Sequence, residues 1–321
     1  MLKIDKKIKD FQKNIDSINS IISKKFFGQE DIVEQVLSCL LASGNSLLVG
    51  VPGLGKTLLF QILSKNLNLS SMRIQCTPDL MPSDIIGTEI LSNKSASNFS
   101  FIKGPIFCNL LMMDEINRAS PRTQSALLQA MQEGFVTVSG KNFSLPKPFI
   151  VLATQNPIEQ EGTYNLPEAQ LDRFLMQINI SYPDESTERK ILINENKKIS
   201  SVQSLDSNLL INLINIIENL PVGESVINFT LKLIRNLRPE TSKFDYVKKY
   251  LKWGPGPRGG QAILNAAKSR CFIKGNLSPT ISDVIAVARP SLRHRVSLNF
   301  EGRSEQLEND LIIKKVYEDI D

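Results

Sequence analysis

The chain has 321 residues, of which 41% are hydrophobic and 22% are charged, and its formal net charge at pH 7 is +5. These proportions indicate a globular protein with a sizeable core and exclude an intrinsically disordered chain. The excess of Lys and Arg is small and scattered, so it does not indicate nucleic-acid binding. The apolar runs are shorter than the roughly 20 residues that a transmembrane helix needs, so we expect no membrane span.

The cysteines and the single histidine show no spacing that is typical of a metal site. Cys39, Cys76, Cys108 and Cys271 form no C-x-x-C pair, and His294 stands alone. A zinc site is therefore not expected, and solitary cysteines favour a reduced, cytoplasmic setting. We interpret His294 as a surface or packing residue rather than as a catalyst.

Apolar residues at steps of three and four predict a helix over 4–22, whose stripe we expect to pack on the core, and another over 30–43. The period then changes, and 45–50 is a short apolar run typical of a buried strand. A glycine-rich turn and a further helix follow it. The remaining strands are predicted at 70–77, 109–115, 149–156 and 174–180. Strands that alternate with helices indicate a parallel sheet covered on both faces.

Two segments interrupt this alternation, and a third region departs from it. Residues 87–104 and 134–146 each have two alternating arms around a polar turn, which predicts β-hairpins. Each hairpin is explained equally well as a surface loop without a function and as a functional insertion. Beyond Pro183 the pattern becomes helical. We therefore predict an α/β domain over residues 1–182 and a helical lid domain over residues 183–321.

The segment GVPGLGKT, residues 50–57, fits the phosphate-binding pattern G-x-x-x-x-G-K-[ST] at every fixed position. It follows a predicted strand and precedes a helix, which is the context that such a loop requires. Its glycines let backbone N–H groups converge on phosphate oxygens. Lys56 would face the β- and γ-phosphates and Thr57 a Mg²⁺ ion. The predicted contacts with ATP are Gly50, Val51, Pro52, Gly53, Leu54, Gly55, Lys56, Thr57 and Leu58.

The apolar run at 110–113 stops on two adjacent acids, Asp114 and Glu115. Acidic residues are poor strand formers and costly to bury, so a function is expected for them. Asp114 would supply a carboxylate just outside the direct ligands of the magnesium held by Thr57, and Glu115 can accept a proton from the water that attacks the γ-phosphate. The pair favours ATP hydrolysis. The alternative is an acidic cluster that only complements a helix dipole.

Three further residues are candidates, and each has a simpler alternative. Asn156 ends a predicted strand, where it either positions the attacking water or forms a turn before a proline. Arg173 either interacts with a helix C-terminus or projects into a neighbouring subunit as an arginine finger. Arg258 lies in the first turn of a predicted helix and opposes its dipole, so we expect an anion such as the γ-phosphate beside it.

With these motifs in order, the sequence resembles the AAA+ ATPases and, among them, the MoxR family. The segments at 50–57, 104–133, 153–174 and 254–264 carry the resemblance, which spans about residues 26–300. It implies that Gly28 and Gln29 lie at the adenine. It also assigns the role of Walker B pair to Asp114 with Glu115, and that of sensor 1 to Asn156. Arg173 takes the role of trans-acting arginine finger. Arg258 takes that of sensor 2, which acts either on the nucleotide of its own subunit or on that of a neighbour.

The resemblance implies a P-loop AAA+ core, with a parallel five-stranded sheet, helices on both faces and two β-hairpin insertions, followed by an all-α lid. The implied activity is that of a homo-oligomeric ring, expected to be a hexamer. It would couple ATP hydrolysis at subunit interfaces to chaperone-like remodelling or maturation of a protein client. A von Willebrand factor A domain protein is the expected partner. Arg118 and Arg122 are candidates for an intersubunit role.

An MCM-like AAA+ motor acting on DNA is the alternative function, because related ATPases with a hairpin before the sensor strand thread nucleic acid. The predicted hairpin at 134–146 has one lysine, whereas a DNA-tracking hairpin should be basic, so we do not expect nucleic acid as a partner. The acids at 114 and 115 argue against a third function, an adaptor that binds ATP without hydrolysis. One departure from the family is Gly259, where a small residue with a Cβ is usual.

Overall fold

The computed structural model describes residues 29–91, 99–159, 161–193 and 207–320. These ranges include all five predicted strands of the sheet and the glycine-rich turn at 50–57. The predicted N-terminal helix and Gly28 lie outside the described residues, as does the polar turn at 92–98.

The first part of the chain alternates helices and strands as its apolar pattern predicts. In chain order the elements are α1 (Glu30–Leu41), β1 (Ser46–Val49), α2 (Lys56–Asn66), β2 (Ser71–Gln75), α3 (Pro82–Ile86), β3 (Gly87–Leu91), β4 (Phe99–Lys103), β5 (Leu110–Asp114), α4 (Pro121–Glu133), β6 (Phe135–Val138), β7 (Lys141–Ser144), β8 (Ile150–Gln155), α5 (Glu168–Leu171) and β9 (Met176–Asn179). A 3₁₀ turn, Ile116–Arg118, joins β5 to α4.

The central sheet has five parallel strands in the order β2-β5-β8-β1-β9, which confirms the predicted core. The strands β5 and β8 in its middle are buried along their length, apart from the half-buried Gln155 at the end of β8, because helices cover both faces. The edge strand β2 is partly exposed. Since all five strands are parallel, their carboxyl ends meet at one edge of the sheet, where a ligand crevice is expected.

Both predicted hairpins form outside this sheet. β3 pairs with β4 and β6 pairs with β7, each antiparallel. The two hairpins also contact each other. The ring centroids of Phe101 and Phe143 lie 4.3 Å apart, and Ser139 Oγ donates to Glu89 Oε2 at 2.8 Å.

The chain after β9 is mainly helical. Its elements are α6 (Glu185–Ile193), α7 (Ser207–Glu218), α8 (Glu224–Asn236), α9 (Asp245–Tyr250), β10 (Leu251–Trp253), α10 (Pro257–Ile273), α11 (Ile281–Leu292), a 3₁₀ turn (Arg293–Arg295), β11 (Ser297–Leu298), α12 (Phe300–Ser304) and α13 (Asn309–Glu318). The short antiparallel pair of β10 and β11 was not predicted from the sequence. Its strands are too short to show a period of two.

The lid packs directly on the α/β part of the chain. Helix α10 lies against α1, and α11 lies against the edge strand β9. Arg270 of α10 reaches Glu34 of α1, with 2.6 Å between Nε and Oε1. One apolar cluster runs from α1 and one face of the sheet into α8, α10, α11 and α13, so the lid shares its core with the sheet. In the described part of the chain, no helix is long and apolar enough to cross a membrane.

Candidate nucleotide site

The phosphate loop lies between β1 and α2, and its glycines serve two different purposes. Gly53 and Gly55 have φ angles of 86° and 78°, in the left-handed region that favours glycine, and Gly55 precedes the first turn of α2. Gly50 is needed for space. A Cβ there would lie 2.6 Å from the backbone oxygen of Ile180, just beyond β9.

Lys56 is held by the loop that it follows. Its Nζ donates to the backbone oxygen of Gly50 and, at 3.2 Å, to that of Val51. Partial burial lowers the pKa of Lys56, and the negative charges of Asp114 and Glu115 oppose that shift. The ammonium group and the two acids belong to residues that line the same cavity.

The two acids stand at the end of β5, and β8 fixes their orientation. Thr154 Oγ1 donates to Asp114 Oδ1 at 2.6 Å and accepts from the backbone N–H of Glu115 at 2.8 Å. Glu115 has a φ of 57°, which is uncommon for a residue with a side chain and is often found at functional sites. Thr154 thus links the side chain of Asp114 to the backbone of Glu115.

Two residues of β2, Arg73 and Gln75, contact these acids and were not predicted. Arg73 Nη2 donates to Asp114 Oδ2 at 2.6 Å, and Gln75 Nε2 donates to Glu115 Oε2 at 2.8 Å. Both lie on one face of the strand beside β5, with Gln75 in register with Asp114. Two polar side chains at i and i+2 near the end of a predicted strand are the signal that could have indicated them.

Arg118 and Arg122, the further candidates for an intersubunit role, differ in their surroundings. Arg118 Nη1 lies 3.2 Å from Glu115 Oε2 and 4.0 Å from Glu159 Oε2, so it contacts the acid of its own chain. Arg122 is exposed in the first turn of α4.

Asn156 follows β8 and is buried, with 4% of its surface exposed. Its Oδ1 accepts from the backbone N–H of Ile158 at 3.2 Å, as the turn-forming interpretation expects. The same residue lines the cavity of the phosphate loop, as the catalytic interpretation expects. The two interpretations are therefore compatible.

These residues enclose two adjoining cavities. A cavity of about 390 Å³ is lined by Pro52, Gly53, Gly55, Lys56, Thr57, Arg73, Gln75, Asp114, Glu115 and Asn156. A second cavity of about 430 Å³ shares the residues of the loop and adds an apolar wall, formed by Leu54, Leu58, Tyr182, Pro183, Ile191 and Leu192, with Gln29 and Glu188. The first is polar and suits a triphosphate, whereas the second suits a flat aromatic base.

Arg173 and Arg258 lie outside both of these cavities. They line a third cavity of about 330 Å³ together with Asp172 and Arg295, and none of its lining residues borders the cavity of Lys56. Arg258 Nη1 lies 3.6 Å from Asp172 Oδ2. The structure thus brings these two arginines together but does not bring them to the chain's own phosphate loop.

The residues at the first cavity fit a magnesium ion. The hydroxyl of Thr57 and the carboxylate of Asp114 both line it, and oxygen donors of these kinds are the ligands that Mg²⁺ prefers. Mg²⁺ usually takes its other ligands from phosphates and water.

Comparisons with known proteins identify the family of the chain. Family models described as "ATPase family associated with various cellular activities (AAA)" and "AAA lid domain" match residues 45–176 and 244–316. Chaperone MoxR1 of Mycobacterium tuberculosis is 38% identical over 93% of this chain and 80% of its own length. The uncharacterized protein YeaC of Bacillus subtilis is 37% identical over 92% of this chain and 90% of its own.

A solved structure shows the same architecture. The crystal structure of an ATPase candidate from Cytophaga hutchinsonii matches with a TM-score of 0.90 and 35% identity, over 99% of this chain and 98% of that chain. None of these findings supports a motor that acts on DNA. The chain therefore belongs to the MoxR family of AAA+ ATPases.

Proposed function

We propose that this protein hydrolyses ATP to ADP and phosphate with the help of Mg²⁺, in a homo-oligomeric ring that remodels or matures a protein client. One observation carries the proposal. The five residues needed for phosphate binding, metal binding and water activation line a single cavity; they are Lys56, Thr57, Asp114, Glu115 and Asn156.

Each of these residues has a role that follows from its chemistry. Lys56 binds the β- and γ-phosphates, and Thr57 and Asp114 hold the metal. Mg²⁺ held by Thr57 and Asp114 would supply positive charge that stabilises the negative charge developing on the phosphates. Glu115 takes the proton of the attacking water, and Asn156 aligns that water with the γ-phosphate.

The second cavity is the proposed adenine site, with Gln29 as its polar residue. Gln29 Nε2 lies 3.4 Å from the backbone oxygen of Ser181. Its Oε1 is buried and has no hydrogen-bond partner among the residues that the structure describes. A buried unpaired acceptor is costly, and the exocyclic amino group of adenine would satisfy it. The family resemblance adds Gly28 to this site.

We propose that Arg173 and Arg258 act on the nucleotide of a neighbouring subunit. Their position outside the chain's own phosphate cavity supports this, because an arginine acting in cis would have to border that cavity. Loss of an arginine finger typically lowers the rate by about 10³–10⁵-fold. An active site completed in this way requires a ring, and the family resemblance favours a hexamer.

Two observations support a protein client, namely the name of one relative and an exposed apolar surface. A 38% identical relative is named a chaperone, which supports work on proteins. The first hairpin exposes Ile90, Phe99 and Ile102, an apolar surface suited to an apolar client segment. We propose a von Willebrand factor A domain protein as partner and the cytoplasm as location. Free thiols at Cys39, Cys76, Cys108 and Cys271 support a reducing compartment.

The decisive test is Glu115→Gln, which keeps the shape of the side chain but removes the base. We expect ATP to bind with unchanged affinity while turnover falls by at least about 10²-fold. Glu159→Gln is the matched control, because Glu159 also faces Arg118 but stands outside the cavity. Turnover that persists in Glu115→Gln would remove this residue from the mechanism. Sizing the ATP-bound variant, with a pull-down of what it retains, tests the ring and the client.

A further inference from the structure

Arg295 of the lid reaches across to the segment that carries Arg173. Its side chain is nearly buried, with 4% exposed. Nε donates to Asp172 Oδ1 at 2.7 Å, and Nη2 donates to the backbone oxygens of Asp172 at 2.9 Å and Phe174 at 2.8 Å. Nη1 donates to the backbone oxygen of Leu175 at 3.2 Å. Four of its five hydrogen bonds therefore end on residues 172–175.

Two neighbours strengthen this contact. His294 Nε2 donates to the backbone oxygen of Phe174 at 3.0 Å, next to the bond from Arg295. A Cβ at Gly259 would lie 3.0 Å from Pro255 Cβ and 3.3 Å from both Arg295 Cδ and Leu292 Cδ2. The glycine that follows Arg258 thus relieves tight contacts with three neighbours, and Arg295 is one of them.

Asp172 lies between Arg295 and Arg258. Its Oδ1 accepts from Arg295, and its Oδ2 lies 3.6 Å from Nη1 of Arg258. Arg173 follows Asp172 directly in the chain. The side chain of Arg258 is 56% exposed, whereas that of Arg295 is buried. Arg295 thus holds the backbone of residues 172–175 and the carboxylate of Asp172. Arg173 adjoins Asp172 in the chain, and Arg258 lies beside its carboxylate.

We propose that Arg295 is a positioning residue for catalysis between subunits. It fixes the segment that carries Arg173 to the lid, and through Asp172 it orients Arg258. This inference rests on the proposed action of Arg173 in trans. It adds that Arg173 moves with the lid and with Arg258 as one unit, because separating residues 172–175 from the lid would break four hydrogen bonds at a buried site.

Arginine is the side chain that this geometry requires. A planar guanidinium can donate at once to the carboxylate and to three backbone oxygens. Lysine keeps the charge but has a single nitrogen, so it cannot reach all four acceptors. Arg295→Lys therefore separates geometry from charge.

Arg293 provides a matched control in the same 3₁₀ turn. Its side chain is also largely buried, with 11% exposed, and it also donates twice to an aspartate. That aspartate is Asp310 of α13, within the lid. Arg293→Lys thus makes the same chemical change at a similar burial but leaves residues 172–175 alone.

The test compares Arg295→Lys with Arg293→Lys in the full chain. We expect both to bind a fluorescent ATP analogue as the unaltered protein does. We expect kcat to fall about tenfold or more in Arg295→Lys, because misplaced catalytic groups lose most of their effect, and to change less than about twofold in Arg293→Lys. Mixed rings with Lys56→Ala should restore turnover, since those subunits deliver a correctly held Arg173. Mixed rings of Arg295→Lys with Arg173→Ala should not restore turnover.

A parallel mixture of Arg173→Ala with Lys56→Ala tests the proposed function by itself. If that pair fails to restore turnover, the action of Arg173 in trans is wrong. If it succeeds but Arg295→Lys keeps full kcat, or is not rescued by Lys56→Ala, only the role of Arg295 is overturned. Should Arg295→Lys fail to fold, Asp172→Asn decides, because it removes the paired charge from the same segment and should show the same rescue.

Discussion

Arg73 Nη2 lies 2.6 Å from Asp114 Oδ2, so the carboxylate proposed to hold magnesium is paired with a cation from the neighbouring strand. The side chain of Arg73 is 46% exposed and that of Asp114 is 10% exposed, which places the pair at the edge of the cavity. Arg73 and Mg²⁺ would both be attracted to the carboxylate of Asp114, and like charges close together repel each other. We therefore expect Arg73 to compete with Mg²⁺ at this carboxylate.

Arg73→Gln removes this competing cation. We expect the Mg²⁺ concentration that half-saturates nucleotide binding to fall by about two- to fivefold, since partly exposed ion pairs contribute roughly 0.5–1 kcal/mol. The measurement is a Mg²⁺ titration at a fixed concentration of a fluorescent ATP analogue. Lys65→Gln, at the exposed end of α2, is the control for the loss of one positive charge. An increased requirement for Mg²⁺ would show that Arg73 instead supports the bound phosphates.

The contact between Phe101 and Phe143 predicts that the two hairpins stabilise each other. Their ring centroids are 4.3 Å apart with an angle of 32° between the planes. In a double-mutant cycle with Phe101→Leu and Phe143→Leu, we expect a coupling of about 0.5–1.5 kcal/mol in the free energy of unfolding. Phe99 is 64% exposed on the same hairpin, so Phe99→Leu should show no coupling to Phe143→Leu. Additive effects in both cycles would mean that the contact between Phe101 and Phe143 does not couple the hairpins.

Gly50→Ala should destabilise the fold rather than merely weaken nucleotide binding. The added Cβ would lie 2.6 Å from the backbone oxygen of Ile180, and backbone at a sheet edge cannot yield easily. We expect a loss of about 1–3 kcal/mol in the free energy of unfolding, measured by urea denaturation without nucleotide. Gly223→Ala is the control, because its Cβ would meet only Ser225 Oγ at 3.8 Å. Unchanged stability of Gly50→Ala would show that the end of β9 can shift.

Part of the site could be predicted because its residues follow apolar runs. Asp114 and Asn156 each end such a run, and parallel strands bring their carboxyl ends to one edge. Arg73 and Gln75 could not be assigned in this way. They lie on the partly exposed edge strand, where polar side chains are expected simply because the strand contacts solvent. In addition, their spacing does not indicate that β2 pairs with β5.

The contacts of the lid were the least predictable part of the fold. Arg295 and Asp172 are 123 residues apart in the chain, and only tertiary packing brings them together. The helical pattern after Pro183 indicated the class of the lid but neither its docking on α1 nor the short pair of β10 and β11. The domain boundary near residue 182 stays a prediction.

His294, the one histidine of the chain, lies buried at the contact between lid and sheet, as its interpretation as a packing residue expects. It donates from Nε2 to the backbone oxygen of Phe174, and Nδ1 has no hydrogen-bond partner among the described residues. Burial lowers the pKa of His294 well below its usual value, and the adjacent cations Arg295 and Arg293 lower it further. Protonation would place a third positive charge in the interior.

The stability of this protein should therefore fall as the pH drops below about 6.5. In that range the unfolded chain binds a proton at His294 that the folded chain does not, so the free energy of unfolding decreases by up to about 1.4 kcal/mol per pH unit. Above that pH both states are neutral and this group adds no slope. His294→Gln keeps an N–H donor for Phe174 but cannot ionise. Urea denaturation at pH 7.5 and pH 5.5 should show a smaller loss for His294→Gln than for the unaltered chain, whereas equal losses would mean that His294 is protonated in the folded state.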